Sequence, residues 1–261
     1  MSVIDALLLG ILQGLTEFLP VSSSGHVELG KAILGVDAES NLTFTVVVHG
    51  ATVLSTIVVF YKDIINVFRG LFAFRWNDAS KFTLNIIISM VPVGIAGLFF
   101  KDQIESMFSG NLIFVGIMLC VTAAILCASY FVKSSKKDIG PVSAFIIGIS
   151  QAVAVIPGIS RSGSTIVTAL LLGVKREIAS RFSFLMVIVP IIAANVIDIT
   201  HSGFTLSKTE ILPLASGFIS AFIIGMLACK LMVKIVNRGN LIYFAIYCLI
   251  IGLASILYPL F

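Results

Sequence analysis

Two short polar stretches interrupt an otherwise apolar sequence, and both carry side chains that could do chemistry. The first, QGLTEFLPVSSSGH, runs from Gln13 to His26, and the second, PGISRSGST, runs from Pro157 to Thr165. The first supplies a carboxylate, consecutive hydroxyls and an imidazole, the groups used in general acid–base and nucleophilic catalysis. The second supplies an arginine among hydroxyls, which suits the binding of an anion.

The first stretch places its amide and its acid on one helical face, because Gln13 and Glu17 are at positions i and i+4. Glu17 is a candidate general base or metal ligand, and Gln13 is a candidate second metal ligand. Ser23 could be a nucleophile or a phosphate ligand, and His26 could accept or deliver a proton. The neighbouring hydroxyls that could also bind phosphate belong to Ser22 and Ser24.

The second stretch holds Arg161 between apolar segments rather than in a charged loop. An arginine buried among such segments is costly and indicates a functional site. Gly163 lets backbone N–H groups approach a ligand, and the helix that begins here directs the positive end of its dipole to the same place. The alternative is that Arg161 pairs with a buried carboxylate for packing. The candidate phosphate ligands are Ser160, Arg161, Ser162, Gly163 and Thr165.

The elements that position these stretches are membrane helices. Hydrophobic residues make up 58% of the 261 residues and charged residues 11%, and the mean hydropathy is +1.11. This composition excludes an ordinary soluble domain. A helix needs about 20 apolar residues to cross a bilayer. Segments of that kind occur at 41–61, 81–100, 111–132, 178–199, 211–229 and 241–259.

Four further apolar pieces are too short or too interrupted to span a membrane. Residues 3–19 and 24–35 flank the first polar stretch, and residues 142–156 and 162–173 flank the second. Each pair predicts a re-entrant helix hairpin. A polar break at membrane depth is tolerated only where protein or a water-filled cavity satisfies the freed backbone groups.

The two hairpins resemble each other in sequence. Sliding the chain so that Gly10 falls on Gly148 also aligns Gln, Ser and Gly residues without a gap. We therefore predict an internal duplication, approximately 1–132 and 139–261, within one integral membrane domain, 1–261. Each copy has one hairpin and three spans, and an odd number of spans inverts the second copy relative to the first. Aligned pairs include Gln13 with Gln151, Ser22 with Ser160, Ser24 with Ser162, and Gly25 with Gly163.

The predicted fold is thus an all-α polytopic membrane protein, with six transmembrane helices and two re-entrant hairpins in an inverted-topology repeat. Most of the 17 Lys and Arg residues fall on one side of the predicted spans. Because positively charged loops face the cytoplasm, we expect both termini and the mouth of the first hairpin on the extracytoplasmic, periplasmic side. Segment 62–80 mixes aromatic residues with arginines and is expected to lie along the cytoplasmic interface.

A transporter is the competing functional interpretation, because inverted repeats with broken helices are also the architecture of secondary transporters. A carrier or a lipid-phosphate flippase needs an anion site but has no need of a nucleophile and a base beside it. The grouping of Glu17, Ser23 and His26 therefore favours an enzyme. Two further polar residues, Glu28 and His49, are expected to form hydrogen bonds between helices.

Both polar stretches also carry a resemblance to a known family. The runs QGLTE and FLPVSSSGH at 13–26, together with PGISRSGST at 157–165, resemble the undecaprenyl-diphosphate phosphatase family, the BacA type associated with bacitracin resistance. The similarity covers essentially the whole chain. In that family the first position of the acidic motif is Glu or Gln, so Gln13 is a permitted variant and Glu17 is left as the essential carboxylate.

The resemblance implies a multi-pass enzyme of the bacterial inner membrane that hydrolyses undecaprenyl diphosphate to the monophosphate and inorganic phosphate. This reaction recycles the lipid carrier of peptidoglycan synthesis. The implied cofactor is a divalent cation, Mg²⁺ or Ca²⁺. The implied partners are a polyprenyl diphosphate lipid and membrane lipid, without nucleic acid, and a homodimer is left open. The nucleophile is open among Ser23, His26 and a water activated by Glu17 and His26.

Overall fold

The computed structural model describes residues 1–36, 42–107, 110–132, 136–202 and 210–258. Within these ranges the chain forms α-helices, a 3-10 turn at Ser129–Phe131 and an isolated β-bridge between Lys137 and Val174. The α-helices are α1 (Val3–Phe18), α2 (Ser23–Leu34), α3 (Leu42–Val59), α4 (Tyr61–Phe72), α5 (Asp78–Phe99), α6 (Lys101–Ser106), α7 (Leu112–Ala128), α8 (Pro141–Val153), α9 (Arg161–Leu171), α10 (Arg176–Met186), α11 (Ile188–Ser202), α12 (Ile211–Arg238) and α13 (Ile242–Leu257).

This architecture confirms the prediction of an all-α polytopic membrane protein. Within the described ranges, four segments are long and apolar enough to cross a membrane: Asp78–Phe99, Leu112–Phe131, Arg176–Thr200 and Ile211–Arg238. They match the predicted spans that begin at 81, 111, 178 and 211, although the last of them continues well past its predicted end.

The remaining two predicted spans differ from expectation in shape or length. Helices α3 and α4 are long and apolar enough only as a pair, and they are bent by 73° at their junction. Helix α13 has 16 residues, fewer than the about 20 that a bilayer requires. Residues 41 and 259, at the edges of these predicted spans, lie outside the described ranges.

Helix α4 turns away from α3 and buries none of its residues. The predicted interfacial segment, 62–80, exposes large aromatic side chains, including Phe68, Phe72 and Trp76. Asp63 of α4 forms an ion pair with Arg181 of α10. An amphipathic helix of this kind is typical of a membrane interface. Its placement at the cytoplasmic face stays a prediction.

The span over Arg176–Thr200 is interrupted at Val187, between α10 and α11. Pro190 explains the interruption, because a proline has no backbone N–H and its ring would clash with the carbonyl of Met186 in a continuous helix. The break matters for function because the cavity described below is lined by residues on both sides of it.

Aligned serines begin the second helix of each hairpin in the same way, whereas the first helices end at different positions, α1 at Phe18 and α8 at Val153, which aligns with Leu15. Helix α1 ends before Pro20, which restricts the preceding residue, Leu19, to an extended backbone. The Ser22 hydroxyl then caps α2 by accepting from the N–H of Gly25 at 3.3 Å. In the second hairpin, the Ser160 hydroxyl caps α9 by accepting from the N–H of Gly163 at 3.1 Å.

The two polar breaks pack directly against each other. A Cβ atom on Gly25 would lie 3.2 Å from Cα of Gly158, and a Cβ on Gly163 would lie 3.2 Å from Cβ of Pro20. The predicted alignment pairs Gly25 with Gly163 and Pro20 with Gly158, so each contact is the counterpart of the other. Reciprocal contacts are what two copies related by a two-fold axis would make. The inverted repeat stays a prediction, which these contacts support.

In both hairpins a glycine of the first helix packs directly against the backbone of a long span. Helix α1 packs on α12 and α8 packs on α5. A Cβ on Gly10 would lie 2.5 Å from the carbonyl oxygen of Gly217, and a Cβ on Gly148 would lie 2.4 Å from that of Ser89. Glycine thus allows the backbones to approach closely, as is common between membrane helices. The spans thereby fix where the two breaks meet.

Candidate active site

Glu17 lies at the centre of a polar cluster where the two breaks meet. It occupies the last turn of α1, and its side chain is 6% exposed. Its Oε1 accepts from Nη2 of Arg161. Its Oε2 accepts from the Ser23 hydroxyl at 2.6 Å and from Nε2 of Gln13 at 2.9 Å. The structure therefore brings together four residues that the sequence singled out in two separate stretches.

Arg161 is the first residue of α9, and its side chain is 26% exposed. Its ion pair with Glu17 fits the packing alternative as well as the anion cradle. A buried carboxylate without a counter-charge is strongly unfavourable, so the pair has a structural role. A guanidinium has five N–H donors, however, and one contact to Glu17 leaves others for an anion.

A small, partly open cavity lies beside this ion pair. Glu17, Arg161 and Ser162 contribute its charged and hydroxyl groups from the two hairpins. The rest of the lining consists of Phe18 of α1, Thr52 and Thr56 of α3, and Ser183, Phe184, Val187 and Ile191 of the interrupted span. The arrangement offers an anionic head group a cation, hydroxyls and an apolar surround.

The predicted phosphate ligands of the second hairpin divide into two groups. Ser162 lines the cavity, and its hydroxyl makes a long contact, 3.4 Å, to the Leu19 carbonyl oxygen. The Ser160 hydroxyl is occupied as a helix cap, and the Thr165 hydroxyl donates to the Arg161 carbonyl at 2.8 Å and lies 2.7 Å from the Ser183 hydroxyl. The N–H of Gly163 is taken by that same cap. Ser162 is therefore the hydroxyl of this stretch that can meet a ligand in the cavity.

In the first hairpin the structure gives Ser22 a conformational role. Its φ of 70° lies in the left-handed region, which a residue other than glycine rarely adopts. Such a conformation costs on the order of 1–3 kcal/mol and persists only where the surroundings hold it. Its hydroxyl caps α2 and lies 3.3 Å from the Ser24 hydroxyl. The strained residue immediately precedes Ser23.

The structure places the imidazole of His26 away from the cavity. Nδ1 lies 2.9 Å from the Ser22 carbonyl oxygen, and Nε2 lies 2.9 Å from the hydroxyl of Tyr247 on α13. The His26 and Tyr247 rings also stack, with centroids 5.5 Å apart. His26 is therefore not brought together with Glu17 and Arg161, because both of its ring nitrogens contact other groups.

His49 lies in the polar cluster around Glu17. The sequence predicted only that His49 forms hydrogen bonds between helices. Its Nε2 lies 3.9 Å from Oε2 of Glu17, and its side chain is 27% exposed. The signal that could have found it is the spacing of His49, Thr52 and Thr56, which places three polar residues on one face of an apolar helix. Glu28, by contrast, pairs with Lys31 of its own helix at 3.2 Å.

The residues around Glu17 limit how a metal ion could be held. Among the described residues, no group of three His, Cys, Asp or Glu side chains converges on one point. A site built from protein ligands alone does not fit this arrangement. Glu17 with the neighbouring amide of Gln13 does fit Mg²⁺ bound in the manner common for phosphoryl transfer, through one or two carboxylates and substrate phosphates.

Known proteins match the chain over nearly its whole length. The model of the family described as Bacitracin resistance protein BacA matches residues 6–254. A protein of Bacteroides thetaiotaomicron named undecaprenyl-diphosphatase is 52% identical over 261 residues, covering 98% of this chain and 99% of that protein. One of Parabacteroides distasonis with the same name is 53% identical over 260 residues, covering 98% of each chain. A third, of Methanosphaera stadtmanae, is 42% identical over 276 residues, again covering 98% of each.

Proposed function

The chain belongs to the BacA family of bacitracin resistance proteins, and from this premise we propose that it is an undecaprenyl-diphosphatase. It hydrolyses undecaprenyl diphosphate to undecaprenyl phosphate and inorganic phosphate, and so returns the lipid carrier to cell-wall synthesis. The observation that supports this most is the contact of Glu17 with both Ser23 and Arg161 beside a cavity within the membrane domain.

Arg161 and Ser162 bind the terminal phosphate in this proposal. The diphosphate is an anion attached to a long hydrocarbon chain, so the head group must meet a cation while the chain stays in lipid. Arg161 lines the cavity and has donors beyond the one used by Glu17. The same donors stabilise the charge that develops on the transferring phosphoryl group.

Ser23 is the nucleophile, and Glu17 is its base. The Ser23 hydroxyl already donates to Glu17 at 2.6 Å. Oγ attacks the terminal phosphorus, the bond from that phosphorus to the bridging oxygen breaks, and the proton passes through Glu17 to the leaving undecaprenyl phosphate. Water then attacks the phosphoserine, gives its proton to Glu17, and the proton returns to Oγ as inorganic phosphate leaves.

A divalent cation would be held by Glu17, with Gln13 beside it, and by phosphate oxygens of the substrate. Bound there, it would neutralise charge on the diphosphate. Support for this placement is the contact of the Gln13 amide with the Glu17 carboxylate at 2.9 Å, to which phosphate oxygens of the substrate would add the remaining ligands.

The proposed activity is tested by incubating the purified protein in detergent with undecaprenyl diphosphate and Mg²⁺, Ca²⁺ or a chelator. We expect catalytic release of inorganic phosphate with at least one cation and loss of release with the chelator. Glu17→Gln protein, purified identically, controls for a contaminating phosphatase. No release with either cation, combined with passage of labelled undecaprenyl phosphate across proteoliposome membranes, would contradict the enzyme and favour the carrier.

The proposed location is the bacterial inner membrane, with both termini and the cavity opening on the extracytoplasmic side. Its support is the distribution of Lys and Arg residues. In a variant without the four native cysteines, Ser2→Cys should react with an impermeant thiol reagent on intact spheroplasts. Lys136→Cys, on the opposite face, should react only after membrane disruption. The reverse pattern would overturn the orientation.

A further inference from the structure

We propose that Tyr247 is a positioning residue of the reaction: its hydroxyl holds the imidazole of His26, which in turn holds the strained backbone of Ser22. That backbone presents Ser23 to Glu17. The inference rests on the proposed function, in which Ser23 is the nucleophile, and it goes beyond it by giving His26 and the last helix of the chain a role outside the cavity.

The hydrogen bonds of His26 fix its tautomer. Nδ1 lies 2.9 Å from the carbonyl oxygen of Ser22, and because a carbonyl oxygen only accepts, Nδ1 carries the proton. The neutral ring then has a lone pair at Nε2, to which the Tyr247 hydroxyl donates at 2.9 Å. Neither ring nitrogen is left for a phosphate group. His26 is also 5% exposed, so it is confined to this arrangement.

Ser22 needs this support because its φ is 70°. Its carbonyl oxygen accepts two hydrogen bonds from His26, one from the backbone N–H at 3.1 Å and one from Nδ1. A rotation of Ser22 toward an ordinary conformation would redirect the next residue. Ser23 would then lose the 2.6 Å contact of its hydroxyl with Glu17.

Tyr247 links this turn to a distant part of the chain. It lies on α13, which packs along α7 and contributes no residue to the described lining of the cavity. Its ring is nearly parallel to that of His26, with an angle of 12° between the planes. Tyr247 is 41% exposed, so it covers the more deeply buried imidazole. The Tyr247 hydroxyl thus connects α13 to the reacting groups through His26 and Ser22.

The first test removes the hydroxyl of Tyr247 and keeps its ring. We expect Tyr247→Phe to lower kcat for phosphate release by about tenfold, with KM unchanged and at most the small fall in detergent melting temperature that one lost hydrogen bond causes. Tyr243→Phe, an exposed tyrosine on the same helix, is the matched control and should behave as wild type. Unaltered kcat in Tyr247→Phe, or a larger fall in melting temperature, would overturn the proposal.

The second test asks whether Tyr247 acts through Ser22. Glycine adopts a positive φ readily, so a Ser22→Gly protein does not need His26 to hold this backbone. In that background Tyr247→Phe should lower kcat by less than about twofold. A double-mutant cycle measures this coupling. The same tenfold loss in both backgrounds would contradict the proposal. So would an inactive Ser22→Gly protein, because the proposal gives the Ser22 hydroxyl only a capping role.

A third variant separates a positioning His26 from a reacting one. His26→Asn places an amide N–H where Nδ1–H was but removes the imidazole. We expect it to retain activity within about tenfold of wild type. Activity as low as that of Ser23→Ala would mean that His26 reacts or transfers a proton, and the proposal would be wrong. Failure of wild type to release phosphate would instead overturn the proposed function itself.

Discussion

Replacing Arg161 by alanine should lower the rate of phosphate release by about a thousandfold or more, because the substrate loses the cation that binds and stabilises its transferring phosphoryl group. The same change leaves Glu17 buried without its counter-charge. We therefore also expect a loss of stability on the order of 3 kcal/mol and earlier melting in detergent.

Arg161→Lys separates the catalytic effect from the structural one. Lysine keeps the positive charge beside Glu17, so the variant should melt close to wild type. It loses the planar fork that can contact two phosphate oxygens, so release should still fall sharply. Arg75→Ala, which removes an exposed arginine, controls for the loss of an arginine elsewhere. An active, well-folded Arg161→Ala protein would contradict both roles of Arg161.

The hairpins could be predicted from the sequence because the signals that make them are local. Pro20 follows the end of α1, and in both copies an aligned serine caps the next helix, Ser22 for α2 and Ser160 for α9. The bend between α3 and α4 and the short α13 could not be predicted in this way. Apolar composition fixes the length of a hydrophobic stretch but not the direction in which a helix continues.

The core of the candidate site was also predictable, because its residues lie in two breaks that an inverted repeat would bring together. The orientation of side chains around a helix was not. Ser23 and His26 are close in sequence on α2, yet Ser23 reaches back to Glu17 while His26 reaches across to Tyr247. The partner of His26 depends on how α13 packs. His49 was underestimated for a similar reason, since its contact with Glu17 crosses from α3 to α1.

Removing the hydroxyl of Ser23 should have an effect as large as that of removing Arg161. Ser23→Ala has no Oγ to attack phosphorus, so phosphate release should fall by about a thousandfold or more. The substitution is small and leaves the Glu17 pair with Arg161 in place, so the melting temperature should hardly change. Ser255→Ala is the control, because it removes a serine hydroxyl that is buried and donates to a carbonyl of its own helix, α13. Normal turnover by Ser23→Ala would contradict the proposed nucleophile.

The most direct measurement identifies the residue that carries the phosphate during turnover. Undecaprenyl diphosphate labelled in its terminal phosphate is mixed with the protein, quenched within milliseconds in acid or in base, and the labelled peptide is sequenced. The account predicts label on Ser23 that survives acid, since Ser23 is held on Glu17 and His26 faces away. Label on His26, stable in base but lost in acid, or steady phosphate release with no labelled protein, would contradict it.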